Sequence, residues 1–162
     1  MTTPRLDPSP RILVVEARFY DDIADELYAG ALETLTEAGA EIERLQVPGA
    51  FEIPAAISMA LAAGDVEAIR PFDGYVALGC VIRGETSHYD YVCGESARGL
   101  QDLAVQSLAA IGYGILTVEN GEQAWARADR KRKNKGRDAA LACLRMIELR
   151  RGFGLEQEPE SP

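Results

Sequence analysis

RILVVEARFYDDIADELYAGALETLTEAG, residues 11–39, contains one strand and one helix in immediate succession. Arg11 to Glu16 is a short apolar, β-branched run that reads as a buried strand. From about Asp21 to Ala38 the apolar residues Ile23, Leu27, Ala31 and Leu35 recur every four positions, the stripe of a helix, and Gly39 supplies its stop. The alternation continues along the chain. Ala40 to Val47 reads as a second, less regular strand, Pro54 to Ala63 as a helix with proline in its first turn, and Gly74 to Val81 (GYVALGCV) as an apolar third strand. Tyr89 to Ile111 reads as a long helix, Tyr113 to Val118 as a fourth strand, and Gly121 to Ala128 and Lys135 to Arg151 as the last two helices. Strands separated by helices of this length pair in parallel through right-handed crossovers, which puts helices on both faces. The expected fold is therefore an α/β three-layer doubly wound sandwich, with a parallel sheet of about four strands flanked by helices. Ligands in such sheets bind beyond the carboxyl ends of the strands.

The 162 residues, 47% of them hydrophobic, suit one domain, expected over residues 11–152. Pro4, Pro8 and Pro10 disfavour regular structure in residues 1–10, and residues 153–162 are acidic and proline-containing, so both ends read as flexible tails. Seventeen Lys and Arg against 26 Asp and Glu give a net charge of −9, which opposes binding to nucleic acid or to anionic membranes. Cys80, Cys93 and Cys143 form no C-x-x-C pair and read as reduced thiols of a cytoplasmic protein. His88 is the only histidine, which excludes metal sites needing two or three imidazoles from one chain. The N-terminus has no apolar signal core, and no apolar stretch approaches the roughly 20 residues of a membrane helix.

The informative residues lie after the strands. Phe19 follows the first, as either a hydrophobic staple on the next helix or a ligand-facing ring. Val47-Pro48-Gly49-Ala50-Phe51-Glu52-Ile53-Pro54 follows the second, and its two prolines stiffen a loop that can aim the Ala50 and Phe51 amides and the Glu52 carboxylate. Glu52 also suits a helix N-terminus through the macrodipole. The third strand runs into Gly79-Cys80-Val81-Ile82-Arg83-Gly84-Glu85-Thr86-Ser87-His88. Its G-x-x-x-x-G spacing is that of a P-loop, but Glu85 stands where lysine is required and would repel a triphosphate. The start of the next helix, with the Thr86 hydroxyl, still suits a single phosphate group. His88 beside it is the one side chain that ordinarily titrates near neutrality.

Other chemistries are excluded. Gly94-Glu95-Ser96-Ala97-Arg98 lacks the second glycine of a nucleophile elbow, and Gly112-Tyr113-Gly114 opens a strand and is no dinucleotide fingerprint. Arg127 to Arg137 holds seven basic residues in eleven, either a solvated face or a local funnel for a phosphorylated small molecule.

VPGAFEIP at 47–54, LGCVIRGETSHYDYV at 78–92, GILT at 114–117, EQAWAR at 122–127 and NKG at 134–136 together resemble the lumazine synthase family, from about Arg11 to Leu149. The resemblance implies condensation of 5-amino-6-(D-ribitylamino)uracil with 3,4-dihydroxy-2-butanone 4-phosphate to 6,7-dimethyl-8-ribityllumazine, releasing phosphate and water, with no metal or organic cofactor. It places Phe19 on the residue that stacks on the pyrimidine, Ala50, Phe51 and Glu52 on the ribityl chain, and Cys80, Val81 and Ile82 along the heterocycle. Glu85, Thr86 and Arg127 fall on the phosphate site and His88 on proton transfer. Arg127, Tyr113 and Lys135 fall on residues that a neighbouring subunit contributes, in a family whose sites lie between subunits of a pentamer; Arg127 and Lys135 join His88 in the catalytic group.

Three positions depart from the family pattern: Tyr20 for asparagine, Tyr113 where phenylalanine is frequent, and Asp129 to Lys133 (DRKRK) for a glycine-containing turn. That turn, with four adjacent positive charges, favours a free homopentamer over the sixty-subunit icosahedral shell that some members form. A non-catalytic flavin or lumazine binder on the same scaffold is the competing function, although it has no need of phosphate and proton-transfer groups. A phosphoryl-accepting receiver domain is excluded, because Leu78-Gly79-Cys80 ends the third strand where its aspartate belongs.

Overall fold

The computed structural model describes residues 1–156, so of the expected C-terminal tail residues 157–162 lie outside the described part. The elements are β1 (Arg11–Ala17), α1 (Asp21–Glu37), β2 (Glu41–Val47), a single 3-10 turn (Ala50–Glu52), α2 (Ile53–Asp65), β3 (Gly74–Ile82), α3 (His88–Gln106), β4 (Ala110–Val118), α4 (Gly121–Ala128) and α5 (Lys135–Gly152). All strand pairs are parallel, and the order across the sheet is β2-β1-β3-β4. This is the start of the flavodoxin-like order, with the chain reversing direction between β1 and β3, where such sheets bind ligands.

Period-two alternation assigns each strand residue to one of two cores. Ile12, Val14, Val76, Leu78, Leu116 and Val118 pack with α1, α4 and α5, whereas Leu13, Val15, Tyr75, Ala77 and Ile115 pack with α2 and α3. The stripe of α1 is fully accounted for: Ile23, Leu27, Ala31 and Leu35 are all buried. Gly39 ends the helix with φ 76°, its amide donating to Thr36 O at 3.0 Å and the Ala40 amide to Leu35 O at 3.0 Å, the paired bonds of a Schellman cap. β2 is irregular in sequence because it is an edge strand, exposed on both faces except at Ile42 and Val47.

Most boundaries differ from the sequence reading by two residues or fewer, and the largest difference lies between α3 and β4. The long helix expected to reach Ile111 stops at Gln106, and β4 begins at Ala110 instead of Tyr113. Leu108-Ala109-Ala110-Ile111 is apolar enough to continue a helix, but Leu108 adopts φ 54°, Arg150 Nη1 donates to its carbonyl at 3.0 Å, and Ala110 pairs with Gly74. Tertiary pairing overrides local preference here. Where the sequence reading has a loose N-terminal tail, residues 1–10 form no regular element and lie along α5. Arg137, Arg145 and Arg151 donate to the carbonyls of Met1, Thr2 and Pro8 at 2.8–2.9 Å, and Leu6 packs against the core.

Candidate active site

Ten of the residues singled out from sequence occupy the loops or strand ends at the carboxyl side of β1, β2 and β3, or the first position of α3. Phe19 follows β1 and is 76% exposed, touching the Tyr20 ring edge-on at 4.9 Å. A staple ring would be covered by the first turns of α1, so that reading fails. After β2, Ala50 is buried in the 3-10 turn while Phe51 and Glu52 are exposed. Glu52 sits at the N-cap position of α2 and makes no side-chain cap bond, which leaves its carboxylate unengaged by the helix.

β3 is buried from Gly74 to Gly79 and surfaces at Cys80, Val81 and Ile82. Burial, with smaller contributions from Asp22 and Cys93, pushes the Cys80 thiol up to about 11. It is therefore a neutral thiol at physiological pH, suited to lining a pocket and unsuited to nucleophilic attack. Gly84, Glu85, Thr86 and Ser87 form an exposed loop, and His88 is the first residue of α3. Ser87 at the N-cap makes no side-chain bond to the helix; the His88 amide donates to Thr86 Oγ1 at 3.4 Å and the Asp90 amide to Ser87 O at 3.0 Å, which leaves the Thr86 hydroxyl hydrogen to donate to an anion.

The other three residues meet at the free edge of the sheet. Tyr113, Arg127 and Lys135 line a depression of about 210 Å³ along β4, together with Gly114 to Thr117. Tyr113 reaches it from the α3 side, where burial is the main cause raising its phenol; a hydrogen bond with Ser96 works in the opposite direction. Arg127 Nη1 donates to Gln123 O at 3.1 Å, and Lys135 Nζ lies 2.7 Å from Asp138 Oδ2. The N-K-G triplet explains how Lys135 is placed. Asn134 takes the left-handed conformation (φ 43°, ψ 57°) that asparagine tolerates, and its Oδ1 accepts from the Arg137 amide at 3.2 Å to start α5. Gly136 packs so closely on α1 that a Cβ there would overlap the Leu27 carbonyl oxygen.

None of Phe19, Ala50, Phe51, Glu52, Cys80, Val81, Ile82, Glu85, Thr86 or His88 lines the depression at β4. The residues singled out from sequence thus fall into two groups, which adjoin through β3 and β4, where Cys80 and Val81 pair with Leu116 and Thr117. A larger apolar depression, about 570 Å³, is lined by Met146, Leu149 and Phe153 near the end of α5. It belongs to the opposite end of the sheet, where Arg150 of the same helix donates to the carbonyl of Asp73, just before β3 begins.

The basic run after α4 is less positive than its sequence. Arg130 Nε lies 3.0 Å from Glu26 Oε1, and its Nη1 bonds Glu33, so two acids of α1 neutralise it. Arg130 hydrogen bonds, from the backbone amide and then the guanidinium, hold the Glu26 carboxyl below its usual range. Lys131, Arg132 and Lys133 have no ion-pair partner among the described residues. Sequence reasoning also passed over Arg83, which bridges Glu119 and Asp90 and lies over the Tyr89 ring at 4.2 Å. Its place at a strand end was the available signal, but its partners are distant in the chain.

Residues 9–151 match the family model described as 6,7-dimethyl-8-ribityllumazine synthase. The chain belongs to this synthase family. It is 59% identical over 145 residues to the 6,7-dimethyl-8-ribityllumazine synthase of Agrobacterium fabrum, covering 90% of this chain and 97% of that one. It is 59% identical over 146 residues to 6,7-dimethyl-8-ribityllumazine synthase 1 of Rhizobium meliloti, covering 90% and 95%. The corresponding synthase of Bartonella bacilliformis is 53% identical over 152 residues, covering 94% and 97%. Synthase relatives match nearly end to end, and residues Phe19 to Lys135 all lie within the matched stretch.

Proposed function

We propose that the chain catalyses condensation of 5-amino-6-(D-ribitylamino)uracil with 3,4-dihydroxy-2-butanone 4-phosphate to 6,7-dimethyl-8-ribityllumazine, in riboflavin biosynthesis, at sites shared between subunits of a homopentamer. The observation that carries this reading is that Tyr113, Arg127 and Lys135 gather at the unpaired edge of β4, where a second chain could meet them, whereas the other candidates surround the carboxyl ends of β1, β2 and β3. Phe19, Ala50, Phe51, Glu52 and Cys80 to Ile82 would receive the pyrimidine and its ribityl chain on one subunit. Tyr113, Arg127 and Lys135 of the next would close the pocket.

The chemistry fits these groups. An amine adds to a ketone, phosphate and water leave, and a second carbon-nitrogen bond closes the ring, so protons move repeatedly. His88 gives and takes them, a role worth about 10²- to 10⁴-fold. Holding two substrates in one pocket supplies much of the remainder. Arg127 and the Thr86 hydroxyl bind the phosphate and favour its departure as an anion, with Lys135 adding positive charge. Glu85 lies within the loop from Gly84 to Ser87, on the phosphate-site position that the family resemblance gives it. A pure flavin or lumazine binder needs none of His88, Thr86, Arg127 and Lys135. Incubating the purified protein with both substrates and following lumazine fluorescence tests the activity; product is expected, and its absence at high enzyme concentration favours the binder.

The free homopentamer also belongs to this proposal. The turn from Asp129 to Lys133 closes without glycine: the Lys131 amide donates to Asp129 Oδ1 at 2.8 Å, and the Asn134 amide to Asp129 O at 3.1 Å. Three unpaired charges rather than four remain to repel neighbouring pentamers. Light scattering should give about 88 kDa for five chains of 17.6 kDa; a species of about 1 MDa indicates the sixty-subunit shell. No helix among the described residues is long and apolar enough to cross a membrane. The three free thiols suit a reducing compartment, and we place the enzyme in the cytoplasm.

A further inference from the structure

Phe19 has little to hold its own ring. It is three-quarters exposed, and the ring it touches is that of its neighbour Tyr20. The residue before it is held far more firmly. Arg18 Nη2 lies 2.6 Å from Asp25 Oδ1 and 3.3 Å from Asp21 Oδ1, and its Nη1 lies 3.4 Å from Glu16 Oε1. Only 15% of the Arg18 side chain is exposed. One guanidinium thus joins the end of β1 to the first two turns of α1, across the loop that carries Phe19.

The β1 end of this clamp is itself fixed. Glu16 is 2% exposed, and its Oε1 accepts from Arg44 Nε at 2.8 Å and pairs with Arg44 Nη2 at 2.7 Å, tying β1 to β2. Arg44 lies in turn over the Tyr28 ring of α1 at 3.8 Å. Glu16 Oε2 has no partner among the described residues, so the carboxylate is held wholly through the oxygen that faces the two arginines. On the other side of Phe19, Tyr20 packs against the core. The loop is anchored immediately before and after the one residue whose ring stands out.

We propose that Arg18 is a positioning residue for the pyrimidine stack, fixing the backbone that carries the Phe19 ring by its bonds to Asp25, Asp21 and Glu16. The planar guanidinium meets three carboxylates from two elements at once, which the single ammonium of lysine does not do in the same geometry. A loop whose backbone is fixed before binding loses less freedom when the substrate stacks on the ring it carries. This inference rests on the reading of Phe19 as the stacking surface.

The test compares R18Q, D25N, F19A and R18Q/F19A in the assembled protein, by calorimetric Kd for the substituted uracil alone and by KM for each substrate. R18Q and D25N are expected to weaken uracil binding about three- to tenfold, the cost of immobilising one mobile side chain. The KM for the phosphorylated ketone and kcat should stay within about twofold. In the F19A background R18Q should add almost nothing. Equal losses for both substrates, an additive effect in the double variant, or unchanged uracil affinity in both single variants would overturn the proposal. D25N keeps the arginine and so supplies the answer if R18Q fails to fold. Calorimetry needs no turnover, so a protein that binds the uracil as expected but makes no lumazine would leave the clamp standing and remove the catalytic reading.

Discussion

Arg83 Nε donates to Glu119 Oε2 across 2.8 Å and ties the loop after β3 to the loop after β4. The same guanidinium reaches Asp90 Oδ1 at 3.3 Å, so the loop from Gly84 to Ser87, the proposed phosphate loop, is pinned to the first turn of α3 as well. Both partners of the Arg83–Glu119 pair are about half exposed, and such a pair contributes about 0 to 1 kcal/mol. Glu119→Ala should therefore raise the KM for the phosphorylated ketone by about fivefold at most, with the KM for the uracil unchanged. Steady-state kinetics in each substrate checks it, and a matching change in the uracil KM would show that the pair holds more than the phosphate loop.

His88 stands at the start of α3 with its side chain exposed beside that loop. His88→Ala should lower kcat by about 10²- to 10⁴-fold while leaving uracil affinity nearly intact, because the imidazole moves protons and does not anchor the ring. Rate measurements combined with calorimetry separate the two effects. An unchanged kcat would remove His88 from the mechanism.

The sequence was most readable where local and global preferences agree. α4 begins and ends at Gly121 and Ala128 as read, since Asn120 caps it by accepting from the Gln123 amide at 2.9 Å. The strand-end positions of Phe19, Ala50 to Glu52 and Cys80 to His88 were readable because a doubly wound sheet gathers its loops at one end. What sequence hid was pairing across the chain. The partners of Arg130 lie 97 and 104 residues away, so the charge of the basic turn was overstated. The end of α3 was hidden for the same reason, because Gly74, not the helix's own residues, claims Ala110.

Gly136→Ala isolates the close contact between α5 and α1. A Cβ there would overlap Leu27 O and come within 3.1 Å of Ala31 N, both backbone atoms that cannot swing aside. Forced separation of packed elements costs about 1 to 3 kcal/mol, more than the gain of up to about 1 kcal/mol from replacing glycine by alanine in a helix. The melting temperature should fall. Gly84→Ala, with no atom within 4 Å of its added Cβ, is the matched control and should melt like the wild type.

The bond from Arg130 makes stability depend on pH in a stated direction. Because the folded Glu26 carboxyl lies below its ordinary value of 4.5, its contribution is present above that value and is lost as pH falls through the lower folded one. Wild type should be more stable than Glu26→Gln at pH 6, and the difference should shrink on acidification below about 4.5. Urea midpoints measured from pH 6 down to pH 3 check this. A difference that stays constant across the range would mean that the carboxylate charge contributes nothing through Arg130.

The division of the candidate residues into two groups leads to a test of their sharing between subunits. Arg127 lines the depression at β4, whereas His88 lies at the carboxyl side of β3, outside it. If subunits complete each other's sites, an Arg127→Ala subunit beside a His88→Ala subunit forms one junction with both groups intact and one with neither. Mixing the two variants under conditions of subunit exchange should then restore a fraction of the activity, although each alone is nearly inactive. Arg127→Ala alone should chiefly raise the KM for the phosphorylated ketone, since a charge-assisted phosphate donor is lost. If exchange is demonstrated by mass-labelled subunits and no activity returns, Arg127 and His88 act in the same subunit's site, and the edge of β4 must be reached by its own chain.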